Sequence, residues 1–127
     1  MTQIIKGTEQ KFAINLTAPG FSMDTDDFEI EVASPSESLK GYKNPPAGAS
    51  TDVIIFKETE THEVTDPETE EVTEETTSTW YAIVNTAAFT KIGDLRVIAT
   101  AHIPDVNAND GIRNDIQKAA LGTLINP

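Results

Sequence analysis

Two histidines, no cysteine and 21 carboxylates are the side chains through which this sequence could do acid–base or metal chemistry. His62 stands close to Glu60 and Glu63, a spacing that could hold a cation weakly, although so many acids around it read more simply as a solvated charged face. His102 falls on the polar side of an alternating run with no nucleophile or ligand near it in sequence, and is expected to be a partly exposed strand position. The stretch Asp105-Val106-Asn107-Ala108-Asn109-Asp110-Gly111 places oxygen side chains at alternate positions before a glycine, as a calcium loop does. Counted from Asp105, however, the glycine comes at the seventh position instead of the sixth, and Ile116 stands where a bidentate glutamate is needed. Turn chemistry explains the same residues, since Asn and Asp tolerate left-handed backbone and Gly111 supplies a positive φ. Asp24, Asp26 and Asp27 could share acid–base work only in an apolar pocket that separates their pKa values, and a turn between strands offers none. No nucleophile elbow, phosphate-cradling glycine loop or His-Glu-x-x-His helix occurs in the sequence. The expectation is a protein that is not an enzyme, with no catalytic residue, no metal site and no cofactor.

The elements that carry these residues are strands. Phe12, Ile14 and Leu16 alternate with polar neighbours, and Phe28, Ile30 and Val32 do the same against Glu29 and Glu31, so two half-buried strands are expected, joined by a turn-rich loop as an antiparallel pair. Residues 34–52, rich in Ser, Pro and Gly, read as a loop crossing a sheet edge. Val53-Ile54-Ile55-Phe56 is a continuous apolar run of the kind a strand buried on both faces shows, with Trp80 to Val84 as its expected partner. Leu95, Val97, Ala99, Ala101 and Ile103 mark the longest clean strand, which Pro104 ends. Ile112 to Leu124 reads equally as a short helix or a final strand.

Between the third and fourth expected strands, Glu63-Val64-Thr65 and Glu71-Val72-Thr73 echo each other about Asp66-Pro67-Glu68. Threonine and valine favour strands, so residues 57–79 read as a projecting acidic β-ribbon, and these six residues are the expected interaction site. A flexible insert is the rival reading, because glutamate and threonine with few apolar residues offset little of the entropy of ordering.

At 127 residues the chain fits one domain, residues 1–127, with one modest core. Nine basic against 21 acidic residues give a net charge of −12, and residues 57–78 alone carry −8 of it. Such a field repels polyanions, so neither direct nucleic-acid binding nor an acidic membrane surface is expected. No apolar run approaches the ~20 residues of a membrane-spanning helix, and the start lacks the apolar stretch of a signal peptide. Many short strands and few helical signals predict an all-β fold, an immunoglobulin-like antiparallel β-sandwich.

Three stretches carry a resemblance: Phe12-Ala13-Ile14-Asn15-Leu16-Thr17 running into Asp26 to Val32; Asp52-Val53-Ile54-Ile55-Phe56-Lys57; and Gly93-Asp94-Leu95-Arg96-Val97 leading to Ile103-Pro104-Asp105 and Asp110-Gly111-Ile112-Arg113. On these the chain resembles small virion proteins of tailed phages and prophages of gut Bacteroides-type bacteria, crAss-like phages included. It is similar, more loosely, to the N-terminal immunoglobulin-like module of phage upper-baseplate proteins. The resemblance implies a structural component of a virion, made in the host cytoplasm. It would dock on capsid, portal, fibre or tail proteins and form a homo-oligomer. Baseplate proteins of that kind continue into a long receptor-facing region, so a chain ending at Pro127 is expected to be a smaller accessory piece of head, fibre or tail. The alternative is a free-standing carbohydrate- or protein-binding module using Trp80, Tyr81 or Tyr42.

Overall fold

The structure is a computed structural model that describes residues 2–49 and 52–127. The fold is all-β, with eight strands in two sheets among the described residues: β1 (Gln3–Ile5), β2 (Glu9–Ile14), β3 (Asp27–Ala33), β4 (Ser38–Tyr42), β5 (Val53–Thr65), β6 (Val72–Asn85), β7 (Gly93–Pro104) and β8 (Ile112–Ile125). A five-stranded sheet runs β1-β8-β7-β3-β4 and a three-stranded sheet runs β2-β6-β5. All pairs are antiparallel except β1 with β8, whose register is Gln3 to Thr123 and Ile5 to Ile125. Among the described residues no helix is long and apolar enough to cross a membrane.

The two sheets share one core, in a β-sandwich-like arrangement. Alternation puts Phe28, Ile30 and Val32 of β3 and Ala101 and Ile103 of β7 on the inward face of the larger sheet. Ala82 and Val84 of β6 with Val53 of β5 answer from the smaller one. Each fully buried Phe or Ile contributes about 1.5–3 kcal/mol. Thr86 is a polar residue fully buried beside this interior. Its hydroxyl accepts from the Gly7 backbone N–H at 3.0 Å and donates to the Thr8 carbonyl, so burial costs it no hydrogen bond.

Four expectations are revised or resolved. Residues 34–52 are not all loop: Ser34 Oγ accepts the Glu37 N–H at 3.0 Å and Ser34 N–H donates to the Glu37 carbonyl, closing a turn that sends the chain back as β4. Gly41 lets β4 pass close to β5, since a Cβ there would lie 2.6 Å from the Val53 carbonyl oxygen. The strands that carry Phe12 and Phe28, β2 and β3, are not partners but lie in opposite sheets, joined by residues 15–26, a connection long enough to cross the core. The apolar run at 53–56 is an edge strand rather than a strand buried on both faces. Val53 is buried, Ile54 is 52% exposed, and Phe56 stacks on Tyr81 on the outer surface. Trp80 to Val84 is indeed the partner of this run, with Val53 opposite Val84 and Lys57 opposite Trp80. The segment from Ile112 onward is a strand, which pairs along all of β7 through one bulge at Leu95/Arg96.

Candidate functional site

The candidate site is the outer half of β5 and β6. β2 accompanies β6 only as far as the pair Ile14–Trp80. Beyond it, Glu58 to Thr65 and Val72 to Thr79 pair only with each other among the described residues. Every residue from Lys57 to Thr79 is exposed except the half-buried Val64. With no core to hold it, this hairpin depends on cross-strand pairs and on its tip.

One face carries a hydroxyl ladder. Thr59 Oγ1 meets Ser78 Oγ at 3.1 Å and Thr61 Oγ1 meets Thr76 Oγ1 at 3.2 Å. The tip closes through Asp66, whose N–H donates to the Glu71 carbonyl at 2.8 Å and whose carbonyl accepts the Glu70 N–H at 2.8 Å. Its carboxylate accepts the Glu68 N–H at 2.8 Å. Glu70 takes a left-handed φ of 58° to complete the turn.

The six residues singled out in the sequence fall around this tip. Val64 stands opposite Thr73 and Thr65 opposite Val72, with Thr73 Oγ1 3.4 Å from the Val64 carbonyl. Glu63 faces Glu74, not its echo Glu71, which belongs to the turn and donates its N–H to Thr69 Oγ1 at 3.3 Å. Two glutamates directly opposite repel, so the pair weakens the hairpin where it is least supported. Val72 is 57% exposed.

Two clusters, neither anticipated from the sequence, tie the hairpin to the body. On the inward face Trp80 Nε1 donates to Asp24 Oδ1 at 3.0 Å, and Lys57 Nζ reaches the same oxygen at 3.4 Å. These contacts, the indole N–H first, hold the Asp24 carboxyl below its ordinary range. Trp80 meets Phe28 edge to face at 5.5 Å. Lys43, donating to the Met23 and Asp26 carbonyls at 2.8 and 2.9 Å, lies 5.4 Å from the indole centroid. On the outward face Lys11 Nζ pairs with Glu58 at 2.7 Å and sits 4.3 Å from the Tyr81 ring, which stacks on Phe56 at 5.9 Å. The available signal was parity: Trp80 shares the inward face with Ala82 and Val84, and Tyr81 the outward face with Ile83.

The remaining chemical candidates do not converge. His62 Nε2 lies 3.5 Å from Glu75 Oε2 across the hairpin, not on Glu60 or Glu63. His102 Nδ1 meets Asn114 Oδ1 at 2.8 Å. Asp26 accepts the Ser22 N–H at 2.9 Å and Asp27 the Asn44 side chain, so the three aspartates of that loop point to separate partners. Asp105 accepts the Asn107 N–H at 2.9 Å and meets Arg113 Nε at 3.3 Å, while Gly111, with φ 73°, closes the turn. Among the described residues no group of three or more His, Asp or Glu side chains is gathered as metal ligands would be.

Fold and site together define an all-β chain of two facing sheets that carries an acidic, exposed hairpin. No family model, curated protein or solved structure matches it.

Proposed function

We propose that this protein is a non-enzymatic structural component of a phage virion, a head, fibre or tail accessory piece that acts by protein–protein assembly. In this reading the two sheets are an immunoglobulin-like sandwich and residues 57–79 are a projecting acidic ribbon that engages another virion protein. The observation that carries it is the hairpin from Glu58 to Thr79, which is exposed at every position but the half-buried Val64 and contributes no residue to the core. A segment that adds nothing to the interior, yet is anchored at its root by Trp80, Asp24, Lys57 and Lys11, suits a contact arm. Main-chain edges give such an arm affinity, and its carboxylates discourage indiscriminate pairing. The resemblance of the strand and turn stretches to small phage virion proteins supports the setting. Glycan binding is the weaker reading, because lysines lie over the rings of Trp80 and Tyr81 that a sugar would need.

The test replaces residues 58–79 by Asn-Gly, a two-residue turn suited to closing the Lys57–Trp80 pair. The shortened protein is expected to unfold cooperatively and to lose co-sedimentation with purified capsid, portal, fibre or tail proteins of the same particle. Retained binding, or specific binding of the intact chain to a glycan array with none to virion proteins, overturns the proposal.

A further inference from the structure

The longest strand of the larger sheet has an edge that the described residues leave without a strand partner over most of its length. β1 covers β8 only from Thr123 to Ile125. From Ile112 to Leu121 no main-chain hydrogen bond reaches the outward edge of β8 among the described residues. A cleft of about 290 Å³ opens beside this edge, between the two sheets, lined by Phe12, Leu16, Val97, Ala119 and Leu121 among others. Ala119 sits opposite Val97 on the inward face yet remains exposed, because the smaller sheet stops at β2 and leaves it uncovered. On the other face of the same strand Lys118 lies in register with Ile98, and Arg96 with Ala120, so the two cations share one surface next to the edge. Both are exposed and neither makes an ion pair among the described residues. Asp94 is nearby, but its carboxylate accepts the Thr123 hydroxyl at 2.9 Å.

The outer half of β5 matches this slot. It is the edge strand of its own sheet, and its eight residues from Glu58 to Thr65 span about 26 Å at ~3.3 Å per residue, within the length of the ten-residue open edge. Alternation puts Glu60 on one face, beside Glu58, which Lys11 of its own chain already holds, and Thr59, Thr61 and Thr65 on the other with Glu63. Laid along β8, the first face meets Lys118 and Arg96 while the threonine methyls turn toward the apolar cleft. The hairpin of the same chain is badly placed to fill it, because β5 lies across β6 from β2, which borders the cleft.

We propose that the open edge of β8, from Ile112 to Leu121, receives the acidic β5–β6 hairpin of a second copy of this chain. The donor strand extends the five-stranded sheet, and its carboxylates meet Lys118 and Arg96. This rests on the assembly reading above and names a partner for the same hairpin. Donor and acceptor are different surfaces, so the contact is heterologous and copies join head to tail, into a ring where the rotation closes. Opposite charge sets the register and accelerates encounter, so association weakens as salt shortens the screening length to about 3 Å at 1 M.

The experiment uses light scattering on three proteins: the intact chain, the chain with residues 58–79 replaced by Asn-Gly, which keeps the acceptor edge, and Arg96→Glu/Lys118→Glu, which keeps the hairpin. The intact chain is expected to gain mass with concentration and to lose it at high salt. Each variant alone is expected to self-associate about tenfold more weakly or not at all. Mixed, they are expected to form a 1:1 complex, because one still donates and the other still accepts. A second measurement does not depend on charge reversal being tolerated. Single-cysteine variants Glu60→Cys and Lys118→Cys, in a chain with no cysteine of its own, are mixed with a short bismaleimide and should yield a crosslinked heterodimer. A monomeric intact chain at every concentration, self-association that survives hairpin deletion, or no heterodimer overturns the proposal. A monomer that still binds a virion protein through its hairpin overturns the second-copy partner and leaves the assembly reading standing.

Discussion

Two carboxylates show how single residues brace the loops of this fold. Glu37 accepts the Thr90 hydroxyl at 2.6 Å, the Thr90 N–H at 3.0 Å and the Lys91 N–H at 3.2 Å, tying the β3–β4 turn to the loop before β7. These bonds, the Thr90 hydroxyl first, hold its carboxyl below the ordinary 4.5, as Trp80 and Lys57 hold Asp24 below 3.8. A depressed folded-state value means that the stabilisation is present above the unfolded value and is lost as pH falls through the folded one. Melting temperatures followed from about pH 5 to about pH 2 should therefore fall less steeply in Asp24→Asn and in Glu37→Gln than in the parent. An equally steep fall would show that these contacts do not persist in solution. Thr86 makes a different case, because it is fully buried. Thr86→Val keeps the shape but strips the Gly7 N–H of its partner and leaves the Thr8 carbonyl only the Thr86 N–H at 3.2 Å, and should cost about 1 kcal/mol in urea unfolding.

Among the elements, the β5–β6 hairpin is the one whose stability is decided locally. Removing its internal repulsion with Glu74→Lys, opposite Glu63, should stabilise the outer hairpin by about 0.2–1 kcal/mol. Hydrogen exchange should show slower amides from Glu58 to Thr79 and unchanged ones in β3 and β7. What was legible in the sequence followed burial. β3 and β7 each press one face on the core, so alternation marked Phe28 to Val32 and Leu95 to Ile103. The partner of Val53 to Phe56 was also readable. β4 was hidden because Ser38-Leu39-Lys40-Gly41-Tyr42 has little alternation, and its strand follows from the Ser34 turn and from Gly41 meeting Val53. Ile54 and Phe56 misled for the opposite reason: their apolar side chains face outward, where Phe56 is covered by Tyr81 and Lys11. At the root of the hairpin only the parity of Trp80 and Tyr81 was legible, not their partners. Asp24 and Trp80 stand 56 positions apart, and periodicity carries no information about contacts at that range.

At the scale of the whole molecule, the ladders join distant parts of the chain: β1 pairs with β8 and β3 with β7, while the two sheets interleave in sequence. Closing such loops costs entropy before burial returns it, so refolding by stopped-flow fluorescence of Trp80 should occur over milliseconds to seconds, as for other all-β domains. A microsecond phase carrying the full amplitude would contradict this. The parallel β1–β8 pair has a further consequence, because the two strands nearest the chain ends lie side by side and run the same way. Lys6 N–H donates to the Ile125 carbonyl and Thr123 N–H to the Thr2 carbonyl, each at 2.8 Å. Tension drawn between the two ends would slide these strands past one another and load the bonds in shear all at once, instead of unzipping them singly. The short strand that contributes least to the area of the sheet would then be the clasp that decides how much force the molecule bears.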